Sequence, residues 1–256
     1  MLSPRIIPCL LVKDGGLVKT VQFGSPKYVG DPINAVRIFN EKEVDELIVL
    51  DLDSTVKNRE PDYGMIRNLA AECRMPLCYG GGVNSVAQAE RIIGMGVEKV
   101  AISSAAITDP DLVARMARVV GSQSVVVVLD VRKNAGSGQY EVWTHNGSRP
   151  TGKTPVELAL AMEKLGVGEI TINSIDQDGV MKGYDLELVR AVRSVVTVPM
   201  TVLGGAGTLK DIGRLISEFG IIGAAAGSLF VFKGVYRAVL INYPTRAQKQ
   251  EISAVV

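Results

Sequence analysis

The chain has 256 residues, 47% of them hydrophobic and 21% charged, and its 28 basic residues nearly cancel 27 acidic ones for a formal net charge of +1. That length suits one large or two modest domains with a sizeable core, and the even balance, without a Lys/Arg run, argues against a nucleic-acid or membrane partner. The N-terminus MLSPRIIPCL lacks a leader pattern, no apolar run reaches the roughly 20 residues of a membrane span, and Cys9, Cys73 and Cys78 have no C-x-x-C pairing. The expectation is a soluble, cytoplasmic protein with three buried thiols, no metal site and no cofactor.

In chain order, short apolar runs alternate with stretches of helical period. The runs are RIIPCLLV, DELIVLDLD, MPLCYGGG, EKVAISS, SVVVVLDV, GEITINSI, VPMTVLGG and IIGAAAG. Between them, residues 32–42, 86–95, 111–120, 155–165 and 186–195 repeat apolar residues at three- and four-residue steps. Asp31-Pro32, Asp109-Pro110 and Thr154-Pro155 each set an N-cap residue before a proline at a helix start. Continuous hydrophobicity in the runs signals strands covered on both faces, as in a parallel sheet. Eight strand and helix units predict an α/β fold, a (β/α)8 TIM barrel over residues 1–240; a doubly wound open sheet is the competing architecture.

The chain also repeats internally. YGGGVNSVAQAERIIGMGVEKVAISSAA aligns with LGGAGTLKDIGRLISEFGIIGAAAGSLF, so Gly80 meets Gly204, and Ser103 meets Gly227, 23 positions further on in each. A similar offset lays CLLVK on VLDVR, which makes Leu11 the counterpart of Asp130 at the ends of the first and fifth strands. The barrel is thus expected to be a two-fold repeat of half-barrels.

Active sites in such barrels lie at the C-terminal strand ends. Two Gly-rich ends, with Gly81 and Gly82 in one and Gly204 and Gly205 in the other, let backbone N–H groups approach an anion. Ser103-Ser104 and Gly227-Ser228 precede helix starts, where free N–H groups favour phosphate. Two matched pairs suggest a ligand with a phosphate at each end; the plainer reading of each cluster is a tight turn. Asp51, Asp53, Asp130, Asp176 and Asp178 also end apolar strands. Partial desolvation there suits proton transfer, whereas an isolated Asp more often bonds a loop backbone. Asp130 is the strongest catalytic candidate. Lys19 is placed to hold an anionic substrate or to be a solvated loop lysine, Lys13 more often the latter, and His145, the only histidine, falls in a loop or hairpin insert with a surface role by default.

At the opposite end, Arg5, Glu46, Lys99 and Glu169 open the first, second, fourth and sixth strands with alternating sign. They are expected to converge on the barrel floor, either as a stabilising ion network or as a gate to an axial passage.

With RIIPCL, VKDG, GDP, GGGV, GSQ, GYDLEL and GGAG in this order, the chain resembles the HisF family, cyclase subunits of imidazole glycerol phosphate synthase, from residue 5 to about 232. The resemblance implies a barrel that docks a triad glutaminase on its N-terminal face. Ammonia from glutamine then crosses to a bisphosphorylated ribulose-type substrate, cleaved and cyclised at the C-terminal face. It assigns the twin phosphate sites to the Gly-rich ends and Ser turns, an ammonia gate to Arg5, Glu46, Lys99 and Glu169, and one of two catalytic aspartates to Asp130. The other should stand at 11, where this chain has Leu11; Ser103 and Leu203 also depart from the usual Asn and small hydroxyl residue. The stretches PCLLVKDGGLVK, SPKYVGDPINAV, GAAAGSLFVF and KGVYRAVLINYP resemble a divergent HisF-like branch associated with acetamidino-sugar formation in bacterial surface polysaccharide. There the barrel and its glutaminase supply ammonia to a separate amidotransferase acting on a nucleotide sugar. Three functions follow as alternatives: ammonia relay, a working cyclase, or a non-catalytic scaffold for a glutaminase. The polar tail over 241–256 is expected to fray.

Overall fold

A computed structural model describes residues 3–253. Eight parallel strands close on themselves: β1 (Arg5–Lys13), β2 (Leu47–Asp51), β3 (Leu77–Gly80), β4 (Lys99–Ile102), β5 (Val125–Lys133), β6 (Glu169–Ser174), β7 (Met200–Leu203) and β8 (Gly223–Ala226). Strand β8 pairs with β1 from Arg5↔Gly223 to Pro8↔Ala226, and β5 pairs with β6 from Glu169↔Val126 to Ser174↔Val131. The architecture is the (β/α)8 barrel. Around it run helices α1 (Pro32–Glu41), α2 (Leu52–Val56), α3 (Tyr63–Glu72), α4 (Val86–Ile93), α5 (Ser104–Thr108), α6 (Asp111–Val120), α7 (Pro155–Lys164), α8 (Leu186–Arg193), α9 (Leu209–Phe219), α10 (Ser228–Val231) and α11 (Arg246–Ser253).

Burial on both strand faces explains the unbroken apolar runs. Outward residues such as Ile6, Leu47, Leu77, Tyr79 and Leu129 join helix residues such as Phe39, Ile66 and Ile92 in one core between barrel and helices. Inward residues Ile7, Cys9, Ile48, Cys78, Ala101, Val126, Val128, Leu203 and Ala225 form a second cluster that lines the lumen, with Leu11 and Leu50 packed on it. Each fully buried aliphatic side chain contributes about 1.5–3 kcal/mol. Small residues in β8 have a packing cause: a Cβ on Gly223 would lie 2.0 Å from the Thr201 Oγ1.

Strands β1 and β5, nine residues each, overrun the barrel, and each carries an antiparallel hairpin. Residues Gly16–Val21 pair with β1 and turn back through Gly24–Gly30; Tyr140–Thr144 pair with β5. In the first hairpin Leu11 opposes Val18, and in the second Asp130 opposes Trp143. Tyr140–Thr144 pair in turn with Arg149–Pro150, so the segment around His145 is the tip of a further hairpin.

Asp31 and Thr154 cap α1 and α7 as the sequence suggests, Thr154 in a capping box with Glu157. Asp109 does not cap: α6 starts at Asp111 with Pro110 at the cap position, and Asp109 pairs with Arg115 at 2.5 Å. Cys73 is half-buried rather than buried. Within the tail expected to fray, residues 246–253 form α11, which packs on α9, and residues 254–256 lie outside the described residues. Tyr243 donates its hydroxyl to the Ile6 carbonyl (2.8 Å) and accepts from the Asp45 N–H (3.2 Å); Lys249 pairs with Asp45 at 2.8 Å. The overlooked signal is a further capping box, in which Thr245 N–H donates to Gln248 Oε1 at 2.9 Å and Gln248 N–H to Thr245 Oγ1 at 3.3 Å.

Candidate functional site

The C-terminal strand ends surround a cavity of about 740 Å³, within the range of small-molecule sites. All twelve residues singled out for chemistry or binding line it: Lys19, Asp51, Gly81, Gly82, Ser103, Ser104, Asp130, Asp178, Gly204, Gly205, Gly227 and Ser228. Leu11, Leu50 and Leu203 line it too, as do Asn173 and His145.

Asp130 faces this space from β5. Burial pushes its carboxyl up to about 7, against a hydrogen bond of 2.8 Å donated by Asn173 Nδ2 to its Oδ1. A carboxyl so poised can hold or release a proton near neutrality. Asn173 escapes sequence reasoning, although its place inside the apolar run ITINSI is a legible signal. At the equivalent place on β1, Leu11 has only apolar register partners, Leu50 on β2 and Val18 on the hairpin. Asp51, also on the cavity, caps α2: Oδ1 accepts from the Asp53 N–H (2.8 Å) and Oδ2 from the Ser54 hydroxyl (2.6 Å).

The remaining carboxylates hold loops. Asp178 accepts from the Thr20 hydroxyl (2.6 Å) and the Phe23 N–H (3.1 Å), which ties the Gly16–Gly30 hairpin across the mouth; burial raises its pKa. Asp53 accepts from the Asp14 N–H (2.7 Å) and pairs with Lys57 (3.0 Å), while Asp176 accepts from the Lys133 N–H (2.7 Å). For Asp53 and Asp176 the plainer loop-bonding role holds. Lys19 is buried, not solvated: its ammonium donates to the Cys9 carbonyl at 2.6 Å beside Gly227, and burial lowers its pKa. His145 is half-buried on the cavity wall, with Nδ1 3.1 Å from Thr144 Oγ1 and Nε2 3.2 Å from an Arg149 N–H; burial and then Arg149 lower its pKa.

The Gly-rich ends meet the tight-turn reading as well as the anion reading. Gly81 has φ 121° and Gly205 φ 112°; a Cβ there would lie 2.5 Å from the Asp51 carbonyl and 2.1 Å from that of Gly183. The two short helices past them differ from most of their neighbours. Side chains cap α1, α2, α3, α4, α7, α8 and α9, whereas α5 and α10 begin at Ser103-Ser104 and Gly227-Ser228 with no side-chain cap. Their first N–H groups therefore have no side-chain cap, and Ser103, Ser104, Gly227 and Ser228 line the cavity. The Ser103 hydroxyl is buried without a hydrogen-bond partner.

On the floor, the four charges close into a ring. Arg5 bonds Glu46 and, at 2.8 Å, Glu169; Lys99 Nζ lies 2.8 Å from each of the same two carboxylates. Burial would raise the Glu169 carboxyl, but Arg5 and Lys99 outweigh it and hold it at about 2. The Thr201 hydroxyl donates to Glu169 from the lumen side. The ring is neutral overall, with every charge matched by two of opposite sign.

Fold and site together define a (β/α)8 barrel with one cavity at the mouth, lined by two helix starts without side-chain caps and by a buried acid, and a ring of ion pairs below. Residues 5–237 match the family described as histidine biosynthesis protein. A Leptospira interrogans protein is 56% identical over 252 residues, 98% of this chain and 99% of its own length, and a Pseudomonas aeruginosa protein is 54% identical over 244 residues, 95% and 97%. Their names are "Putative imidazole glycerol phosphate synthase subunit" HisF and hisF2. A Lactiplantibacillus plantarum protein named imidazole glycerol phosphate synthase subunit HisF is 40% identical over 232 residues, 91% and 92%. The chain belongs to the HisF family of histidine biosynthesis proteins.

Proposed function

We propose that this chain is an ammonia-relaying, HisF-like subunit. A glutaminase of the HisH type docks below the charged ring of Arg5, Glu46, Lys99 and Glu169, and ammonia leaves through the lumen toward an acceptor at the mouth. The acceptor chemistry is amidination of a nucleotide sugar for surface polysaccharide, carried out by a separate sugar amidotransferase in the cytoplasm. One observation carries this reading: Leu11 occupies the β1 position equivalent to Asp130 while the floor ring is complete. An opposed acid and base need two titrating groups, and loss of one typically costs about 10² to 10⁴ in rate. In this reading Gly81, Gly82, Gly204 and Gly205, with Ser103, Ser104, Gly227 and Ser228, hold the phosphates of a bound ligand, and Lys19, Asp51 and Asp178 shape its pocket.

A second reading, cyclisation as in imidazole glycerol phosphate synthase, draws on the Asp130 pKa near 7 and on the names of the relatives. Steady-state turnover of the bisphosphorylated ribonucleotide with free ammonia separates the two. Relay predicts negligible cyclisation by the natural chain and its appearance in Leu11→Asp; near-normal turnover by the natural chain defeats relay. A scaffold role predicts that Lys99→Met leaves glutamine hydrolysis coupled to product as before.

A further inference from the structure

Past α10 the chain forms a small hairpin, in which Phe232–Lys233 pair antiparallel with Ala238–Val239. Gly234 at φ 72° and Arg237 at φ 49° shape its turn, and the Arg237 N–H donates to the Gly234 carbonyl at 3.1 Å. This turn presents Val235 and Tyr236, each 96% exposed, so no described residue covers them; Val239 and Leu240 are exposed beside them. The hairpin adjoins the mouth. Its Arg237 guanidinium donates to the Gly179 carbonyl at 3.1 Å, and Lys27 of the Gly16–Gly30 hairpin has its Nζ 5.8 Å from the centre of the Phe232 ring. Tyr28 and Val21 of that larger hairpin are exposed as well. Thr20, Gly179 and Met181 line the cavity, and Met181 also lines a groove of about 520 Å³ against the small hairpin, together with Leu209, Leu229 and Phe232. Apolar tip, groove and cavity rim are thus neighbours on one side of the opening.

We propose that these two hairpins dock the enzyme that accepts nitrogen at the mouth, through a face of that enzyme that is apolar at its centre and acidic around it. The inference rests on the relay reading and names where, and by what chemistry, the acceptor binds. Charge gives the partner its character. Lys27, Lys233 and Arg237 are exposed on the hairpins, and residues 15–30 and 219–250 contain no Asp or Glu. Carboxylates of the adjoining loops are engaged: Asp178 by Thr20 and Phe23, Asp176 by the Lys133 N–H, and Asp211 in the capping box of α9. Cations around an exposed Tyr and Val call for carboxylates around an apolar seat, the layout of protein interfaces, where Tyr is a frequent anchor. A second copy of this chain lacks that complement, because a two-fold contact would set the cations against hairpins without carboxylates. Three cations also fall short of the roughly 4–8 that mark a lipid-binding cluster. Docked on one side of the rim, the acceptor places its own active site over the cavity without filling it.

Titration of the chain, bound to its glutaminase, with the purified nucleotide-sugar amidotransferase of the same organism tests this. Tyr236→Ser should weaken binding about 30-fold or more, as loss of an interface anchor does. Lys233→Glu should slow association and flatten its dependence on salt. Leu160→Ser, at a residue exposed on α7, should change neither. All three side chains are exposed, and an unchanged melting temperature verifies that each variant folds. No binding by the natural complex, or binding that Tyr236→Ser and Lys233→Glu leave intact, overturns the proposal. So does a dimer of the chain, or its adsorption to phosphatidylglycerol vesicles, that Tyr236→Ser abolishes. Transfer of glutamine nitrogen to the sugar judges relay separately. Transfer at the natural rate in Tyr236→Ser overturns the docking surface and leaves relay standing, whereas hairpin-dependent binding without any transfer overturns relay and leaves the surface.

Discussion

Asp130→Asn should stabilise the protein in a strongly pH-dependent manner. The substitution is isosteric, and its amide oxygen can still accept the Asn173 Nδ2–H bond of 2.8 Å, so contacts are conserved while the titration is removed. In the folded chain burial raises the Asp130 carboxyl from 3.8 to about 7. A raised acid binds more protons folded than unfolded, so its contribution to stability falls as pH climbs from the unfolded value to the folded one. The penalty is about 2 kcal/mol at pH 5 and about 4 kcal/mol at pH 8 from these two values. The variant should therefore gain about 2–3 kcal/mol relative to the natural chain between pH 5 and pH 8. Urea unfolding at both pH values, read by circular dichroism, measures it. A difference between the two proteins that stays constant with pH would show that Asp130 is ionised at neutrality, and the reasoning about the mouth would fail.

Lys99→Met should remove one of two cations from the floor ring and leave Glu46 and Glu169 sharing Arg5; breaking such a buried network costs about 3–5 kcal/mol, readable in the same urea experiment. Tyr243→Phe loses two hydrogen bonds, to the Ile6 carbonyl in β1 and the Asp45 N–H just before β2, and should cost about 1–3 kcal/mol, seen as a lower melting temperature. Gly205→Ala should destabilise more than an ordinary Gly→Ala change, because its Cβ would lie 2.1 Å from the Gly183 carbonyl; calorimetry and retained soluble yield check it.

The barrel was legible because its physics is periodic. Both-sided burial writes strands as apolar runs, and capping residues with proline write helix starts at Asp31 and Thr154. The mouth was legible through strand ends and the internal repeat, which together brought all twelve chosen residues to one cavity. What escaped depends on partners distant in sequence. Asp109 was spent on Arg115 rather than on a cap, Lys19 was drawn under the hairpin onto the Cys9 carbonyl, and Asn173 acquired meaning only beside Asp130. The tail misled through composition, since its anchoring groups, Tyr243, Lys249 and Ile252, are sparse among polar neighbours yet all meet the body of the protein.

The matching overhangs of β1 and β5 give the two halves of the barrel the same plan at the mouth. Joining two copies of the C-terminal portion in one gene would generate a symmetric protein with carboxyls facing each other across the opening. Doubling the N-terminal portion instead would leave an opening with leucines on both sides. Such chimeras would show whether an enzyme can be gained or silenced by choosing which ancestor-like segment is copied.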